Sequence, residues 1–330
     1  MNPPRRPTLA DVAARAGTST AVVSYVVNDG PRAVAPATRE RVERAIAELG
    51  YRRNALAGAL SSGRTDLVGL LVPDSSNAFF GELARHVEGE ARRRALLTLL
   101  GNTAYDTSTE RDYLAAFSDL RPSGILVTSI APAPGPAPDC PLVYLHSAPR
   151  GAEDSAVLLD DEEGAASATR HLLAHGFAEV HCVTGPDDFG PAGRRVAGWR
   201  RALREAGRSG EGLLHRVSFV RFEAAAALHA ILAGPERPRA LFVTTDEQAL
   251  AAVRVAGELG LRLPTDLAVV GFDGIQEALN GSVRLTTAAA PLATLVSAAF
   301  DALAAARAGS APARRVLRTT LVLGETCGPH

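Results

Sequence analysis

A chain of 330 residues, 46% hydrophobic and 22% charged with a net charge of −1, is long enough to bury several cores and has the composition of a globular protein. Apolar runs such as Leu67 to Val72 are far too short to span a bilayer, and Met1-Asn2-Pro3-Pro4-Arg5-Arg6 lacks the apolar stretch of a secretory signal, so a cytoplasmic protein with no membrane partner is expected. Cys140, Cys182 and Cys327 are odd in number, far apart and without metal-ligand spacing, which reads as three reduced thiols, with no metal and no cofactor.

The charge is unevenly spread. The first 64 residues hold ten Arg and five acidic residues, a net of +5, which leaves −6 for the remainder, and Lys is absent throughout. A basic head on an acidic body fits a polyanion bound through one end. Within that head, Leu9, Val12, Ala13 and Ala16 fall on one helical stripe, and Val22, Val23, Val26 and Val27 on a second. Gly17-Thr18-Ser19 separates them, with Gly17 placed to stop the first helix and Ser19 to cap the second. Two short helices joined by three residues form a helix-turn-helix, whose second helix enters the DNA major groove. A helical hairpin buried in a core would show the same stripes. The second helix, however, keeps Thr20, Ala21, Ser24, Tyr25 and Asn28 outward, as a base-reading face requires. A third helix opens at Pro36, buries Val42, Ile46 and Leu49, and closes at Gly50.

Leu9 to Asn28, Pro36-Ala37-Thr38-Arg39-Glu40-Arg41-Val42 and Glu48-Leu49-Gly50-Tyr51-Arg52-Arg53-Asn54-Ala55-Leu56-Ala57 resemble the head of LacI-family transcriptional regulators. The resemblance continues through Val68 to Phe80, Val269-Val270-Gly271-Phe272-Asp273-Gly274 and Leu285-Thr286-Thr287, and so covers essentially the whole chain. It implies that Thr20, Ala21 and Tyr25 read base edges, that Ser19, Ser24, Asn28 and Asn54 contact the DNA backbone, and that Ala57 and Leu60 belong to a hinge helix whose leucine wedges into the minor groove. Two departures stand out. The family most often has Arg where this chain has Tyr25, and Tyr lacks the fork that grips guanine. Ala35 stands where Ser usually caps the third helix, a loss of ~1 kcal/mol.

From Asp66 onward short apolar runs alternate with amphipathic segments. Strands are expected at Leu67–Val72, Leu96–Leu100, Gly124–Ser129, Leu142–Leu145, Ala156–Leu159, Val180–Thr184, Leu214–Val220, Ala240–Thr244 and Leu267–Gly271. Helices fall between them, at Phe80–Arg94, Glu162–His175, Gly193–Ala206, Glu247–Leu259 and Leu292–Ala308. Apolar strands with helical crossovers imply parallel sheets covered on both faces. The expected fold is therefore an all-α helix-turn-helix head plus an α/β body. With the resemblance, the body becomes two doubly wound parallel-sheet subdomains of periplasmic-binding-protein-like type. The head takes residues 1–53, the hinge helix and linker 54–65, and the body 66–330. The N-subdomain is placed at about 66–160 and 290–316, and the C-subdomain at about 161–289 and 317–330.

Ligands of such bodies lie between the subdomains, at the carboxyl ends of strands. Ser75, Asn77, Phe79 and Phe80 follow the first strand, His146 the fourth, and Thr245 the eighth. The resemblance implies that Arg195 grips the effector and that Asp273 accepts hydrogen bonds from its hydroxyls or amines. His146, Ser147 and Thr245 replace groups typical of pyranose recognition, and His146 suggests a pH-sensitive cleft. Asp160-Asp161 and Asp187-Asp188 read as surface or loop charge. No nucleotide-binding glycine motif or local catalytic constellation is found, which leaves an enzyme remote, with no catalytic residue assigned. The expected function is regulation by a homodimer on a near-palindromic double-stranded operator, controlled by a small-molecule effector, first of all a sugar. The alternatives are a nucleobase effector, or a binding protein without a DNA role.

Overall fold

A computed structural model describes residues 7–27, 32–51 and 64–328, in two units, Met1–Thr65 and Asp66–His330. In the first unit, α1 (Leu9–Ala16), α2 (Thr20–Val27) and α3 (Pro36–Leu49) share one small core of Val12, Ala13, Ala16, Val23, Val26, Val42 and Ala45. Ile46 and Leu49, expected in that core, pack at its margin, while Ala45 is buried in it. Thr8 and Asp11 form a reciprocal capping box at the start of α1, and Gly17 ends it in the left-handed region at φ 63°. The Ser19 Oγ accepts from the Val22 N–H at 3.3 Å, which caps α2 and fixes the turn. Ala35 offers no such bond, so Pro36 alone sets the entry to α3.

The second unit holds two six-stranded sheets. The first has spatial order β11-β5-β4-β3-β1-β2, from β1 (Leu67–Val72), β2 (Leu97–Asn102), β3 (Ile125–Val127), β4 (Leu142–His146), β5 (Ser155–Leu159) and β11 (Arg314–Leu317). All its pairings are parallel. The second has order β12-β10-β9-β8-β6-β7, from β6 (His181–Thr184), β7 (Leu214–Arg216), β8 (Ala240–Val243), β9 (Ala268–Asp273), β10 (Thr286–Ala289) and β12 (Thr320–Val322). It is parallel except where β12 runs antiparallel to β10. Central strands β4, β5, β6, β8 and β9 are buried at every residue, as strands covered by helices on both faces must be. The edge strands β11 and β12 are short, β11 opening on two arginines and largely exposed and β12 only three residues long, and for that reason the apolar pattern does not reveal them. Likewise the run from Leu214 to Val220 is strand only to Arg216, because Arg221–Ala233 begins a helix immediately afterwards.

Each sheet reverses its winding once, beside β1 in the first and beside β6 in the second. Such switch points open a crevice at the carboxyl ends of the strands.

Candidate functional site: an effector cavity and a helix-turn-helix

Between the two sheets' carboxyl ends lies a cavity of about 370 Å³. Asn77, Phe79 and Phe80 reach it from behind β1, His146 from the end of β4, Thr245 from behind β8 and Asp273 from the end of β9, with Arg195 beneath them. Seven of the eight residues expected at the effector site therefore meet in one place. Ser75 does not line it: its N–H donates to Asn102 Oδ1 at 2.7 Å, which ties the loop after β1 to the end of β2.

Arg195 projects from the helix Gly190–Glu205 and is only 2% exposed. Its Nε donates to Asp161 Oδ1 at 2.9 Å, and its Nη1 donates to Asp273 Oδ1 at 2.9 Å and to the Thr244 carbonyl at 2.6 Å. The guanidinium also lies 3.7 Å over the ring of Phe272. Asp161 is buried as well, and its other oxygen accepts from Arg194 at 2.8 Å. It is thus no surface charge, contrary to the sequence reading. The helix Asp161–Ala174 brings it there by packing tightly on Gly190–Glu205, and at Gly198 a Cβ would stand 2.0 Å from the Glu162 carbonyl oxygen.

Buried charge shapes the remaining chemistry. Burial raises the carboxyl of Asp273 to about 6, against the pull of Arg195. Asp246, fully buried beside it, is held well above the usual carboxylate range by burial and by the charge of Asp273. Asp246 serves the backbone, accepting from the N–H groups of Gly274 at 2.7 Å and Ile275 at 3.0 Å. That contact fixes the turn in which Asp273 sits at φ 124°. His146 is similarly held at φ 66°, so both strand ends facing the cavity carry non-glycine residues in the left-handed region, a strain that concentrates at functional sites. The pH sensitivity expected of His146 is overturned. Burial, then Arg195 and Arg194, drive its imidazole far below the ordinary histidine range, so it stays neutral.

Four residues that line the cavity each carry a buried polar atom with no hydrogen-bond partner among the described residues: Thr128 Oγ1, His146 Nδ1, Ser147 Oγ and Arg195 Nη2. Sequence reasoning missed Thr128, and also the stacked rings of Tyr105 and Phe219, 6.0 Å apart, which reach the cavity from loops behind β2 and β7. Neither loop carries a motif; only the topology brings them together. Outside the cavity, the Ala78 N–H donates to Glu247 at 3.1 Å and the Gln276 N–H donates to Glu82 at 2.8 Å, each bond joining elements of different sheets.

In the head, Thr20 and Ala21 are exposed on α2, whereas Ser24 and Tyr25 are half-buried on the same helix. Ser19 is exposed and already engaged as the cap of α2. Asn28, Asn54, Ala57 and Leu60 lie outside the described residues.

Comparison with known proteins agrees with both halves of this geometry. Residues 169–327 match a periplasmic binding protein-like domain, and residues 8–54 match the bacterial regulatory proteins of the lacI family. The HTH-type transcriptional repressor PurR of Vibrio atlanticus is 33% identical over 303 residues, 90% of each chain. The repressor of the same name from Aliivibrio fischeri is 34% identical over 290 residues, 85% of this chain and 86% of that one. Among solved structures, a complex of the transcriptional regulator CelR with cellobiose is 30% identical, with a TM-score of 0.70, and covers 97% of this chain and 100% of its own. The Lac repressor dimer bound to operator and the anti-inducer ONPF is 24% identical and shares the fold, with a TM-score of 0.86 over 98% of this chain and 99% of its own. Among the described residues no helix is long and apolar enough to cross a membrane. With a helix-turn-helix in its first unit, a cavity at the strands' carboxyl ends in its second, and relatives alike over nine-tenths of its length, the chain belongs to the LacI family of DNA-binding transcriptional regulators.

Proposed function

We propose that this regulator is a homodimeric repressor whose second helix reads a near-palindromic operator and whose cavity takes a sugar. The observation that carries the effector class is the pairing pattern in the cavity. Arg194 and Arg195 already pair with Asp161 and Asp273, while hydroxyl, imidazole and guanidinium positions of Thr128, Ser147, His146 and Arg195 find no partner among the described residues. A neutral ligand rich in hydroxyls would satisfy those atoms without leaving a buried charge unpaired. Phe79, Phe80, Tyr105, Phe189 and Phe219 supply the flat faces on which a sugar ring packs. The likeness to the CelR–cellobiose complex supports the same class. Those five aromatic residues also favour a second reading, a nucleobase stacked in the same cavity.

On the DNA side, Thr20, Ala21 and Tyr25 would contact bases, and Ser19, Ser24, Asn28 and Asn54 the backbone, with Ala57 and Leu60 at the minor groove. Exposed Leu97 and Leu100 on edge strand β2 support a dimer formed through the first sheet's edge. Effector binding then shifts the angle between the two sheets, coupled to operator affinity by about 1–3 kcal/mol.

The test is a thermal-shift panel of monosaccharides, disaccharides and nucleobases, followed by gel shifts on a duplex selected from random sequence. Stabilisation by a sugar that also changes duplex affinity supports the proposal. Stabilisation by nucleobases alone replaces it with the second reading.

A further inference from the structure

A second cluster of ligating side chains lies in the C-terminal part of the body and contributes nothing to the effector cavity. His171 sits in the last turn of the helix Asp161–Ala174, and His175 is its C-cap. Cys327, fully buried, arrives from the far end of the chain, and the three ligand atoms lie within 4.8 Å of one another. We propose that His171, His175 and Cys327 form a binding site for a zinc-class divalent cation.

The spacing fits the ion. Two imidazole nitrogens bound at about 2.0–2.1 Å in a tetrahedron stand about 3.3 Å apart. His171 Nε2 and His175 Nε2 are 3.3 Å apart. A nitrogen and a thiolate bound at about 2.3 Å stand about 3.6 Å apart. The His171 Nε2 to Cys327 Sγ distance is 3.2 Å, so metal entry widens that edge slightly. Histidines four apart on one helix present their nitrogens on the same face, the arrangement used by helical zinc sites. Their place at the helix C-terminus adds the negative end of the macrodipole, which favours a cation.

The surroundings hold the sulfur and one imidazole in place. Thr286 Oγ1 accepts from the Gly324 N–H at 2.8 Å and lies 2.8 Å from Cys327 Sγ, where either group can donate to the other; once a metal takes the thiol proton, the hydroxyl is the donor. Gly328 packs against His175 so closely that a Cβ would stand 2.7 Å from Nδ1, which fixes the ring. Three protein ligands leave a fourth position for water, and occupancy would tie the segment after β12 to the helix Asp161–Ala174. Neither Cys140 nor Cys182 belongs to the cluster.

The test is titration of the reduced full-length protein with Co²⁺, followed by displacement with Zn²⁺. One equivalent should give a sulfur-to-cobalt charge-transfer band and a visible tetrahedral spectrum, and Zn²⁺ should raise the melting temperature. Cys327→Ser should abolish the band and the shift, while Cys140→Ser keeps both. Thr286→Val should keep the band but weaken binding by ~10–100-fold. Should Cys327→Ser fail to fold, His171→Gln and His175→Gln at half-buried positions decide the matter by loss of the tetrahedral spectrum. Absence of the band in the unmodified protein, or its survival in Cys327→Ser, overturns the site.

Discussion

Replacing Asp161 by alanine should cost the body about 3 kcal/mol, at the low end of the ~3–5 kcal/mol typical when one partner of a buried ion pair is removed. Three charge-assisted hydrogen bonds disappear: one from Arg195 Nε at 2.9 Å and two from Arg194 at 3.1 and 2.8 Å. Arg195, 2% exposed, cannot recruit solvent in their place. The low end applies because Asp273 and the Thr244 carbonyl continue to hold its Nη1. An internal comparison sets the scale. Glu258→Ala removes the exposed pair with Arg254 at 2.8 Å, worth only ~0.3–0.5 kcal/mol. Equilibrium urea unfolding reads both, with the single tryptophan, Trp199, as probe. It lies buried on the same helix as Arg195, and its Nε1 donates to the Val180 carbonyl at 2.9 Å. If the midpoint moves no further in Asp161→Ala than in Glu258→Ala, the buried carboxylate does not hold Arg195, and the account of the cavity floor fails.

Three further outcomes are expected. Effector affinity should fall as pH drops through about 6, because the Asp273 carboxyl, raised to about 6, must be ionised to accept hydrogen bonds, and Asp273→Asn should flatten the profile in calorimetric titrations. The same group works oppositely on stability: raised above its ordinary 3.8, it favours the fold below about pH 4 and loses that contribution between about 4 and 6. Ala35→Ser should restore the missing cap of α3 and stabilise the head by ~1 kcal/mol, seen as a higher melting temperature of the helical signal. Tyr25→Arg should change the duplex recovered by selection, since a guanidinium grips guanine where a phenol does not; an unchanged duplex would remove Tyr25 from the reading face.

The head was legible because its turn chemistry is local: Gly17, Ser19, Pro36 and Gly50 each mark an element end within a few residues. Central strands such as β4 and β9 were legible because burial on both faces makes them continuously apolar, whereas β10, buried between β9 and β12, was not expected because Thr286–Ala289 is threonine and alanine without an apolar run. Edge strands β11 and β12 were not legible, since short, exposed strands such as Arg314–Leu317 carry no apolar alternation to mark them. In the cavity, Arg195 and Asp273 could be placed from the motifs around them, yet the role of Asp161 depends on helix packing at Gly198, which no local pattern encodes. His146 shows the opposite error. Its residue type suggests titration near neutrality, but burial and two nearby guanidinium groups push its imidazole well below the ordinary histidine range. The cluster of His171, His175 and Cys327 escaped notice because 152 residues separate its last two members.

The two bonds that cross from sheet to sheet, Ala78 to Glu247 and Gln276 to Glu82, each pair a main-chain amide with a carboxylate contributed from opposite sides. Neither amide depends on the identity of its own side chain, and neither pair forms part of the chamber wall beneath. What joins the two sheets at these points and what lines the cavity are therefore different residues. Substitutions at 146 and 147 should therefore change what the chamber accepts while both bonds between the sheets stay in place.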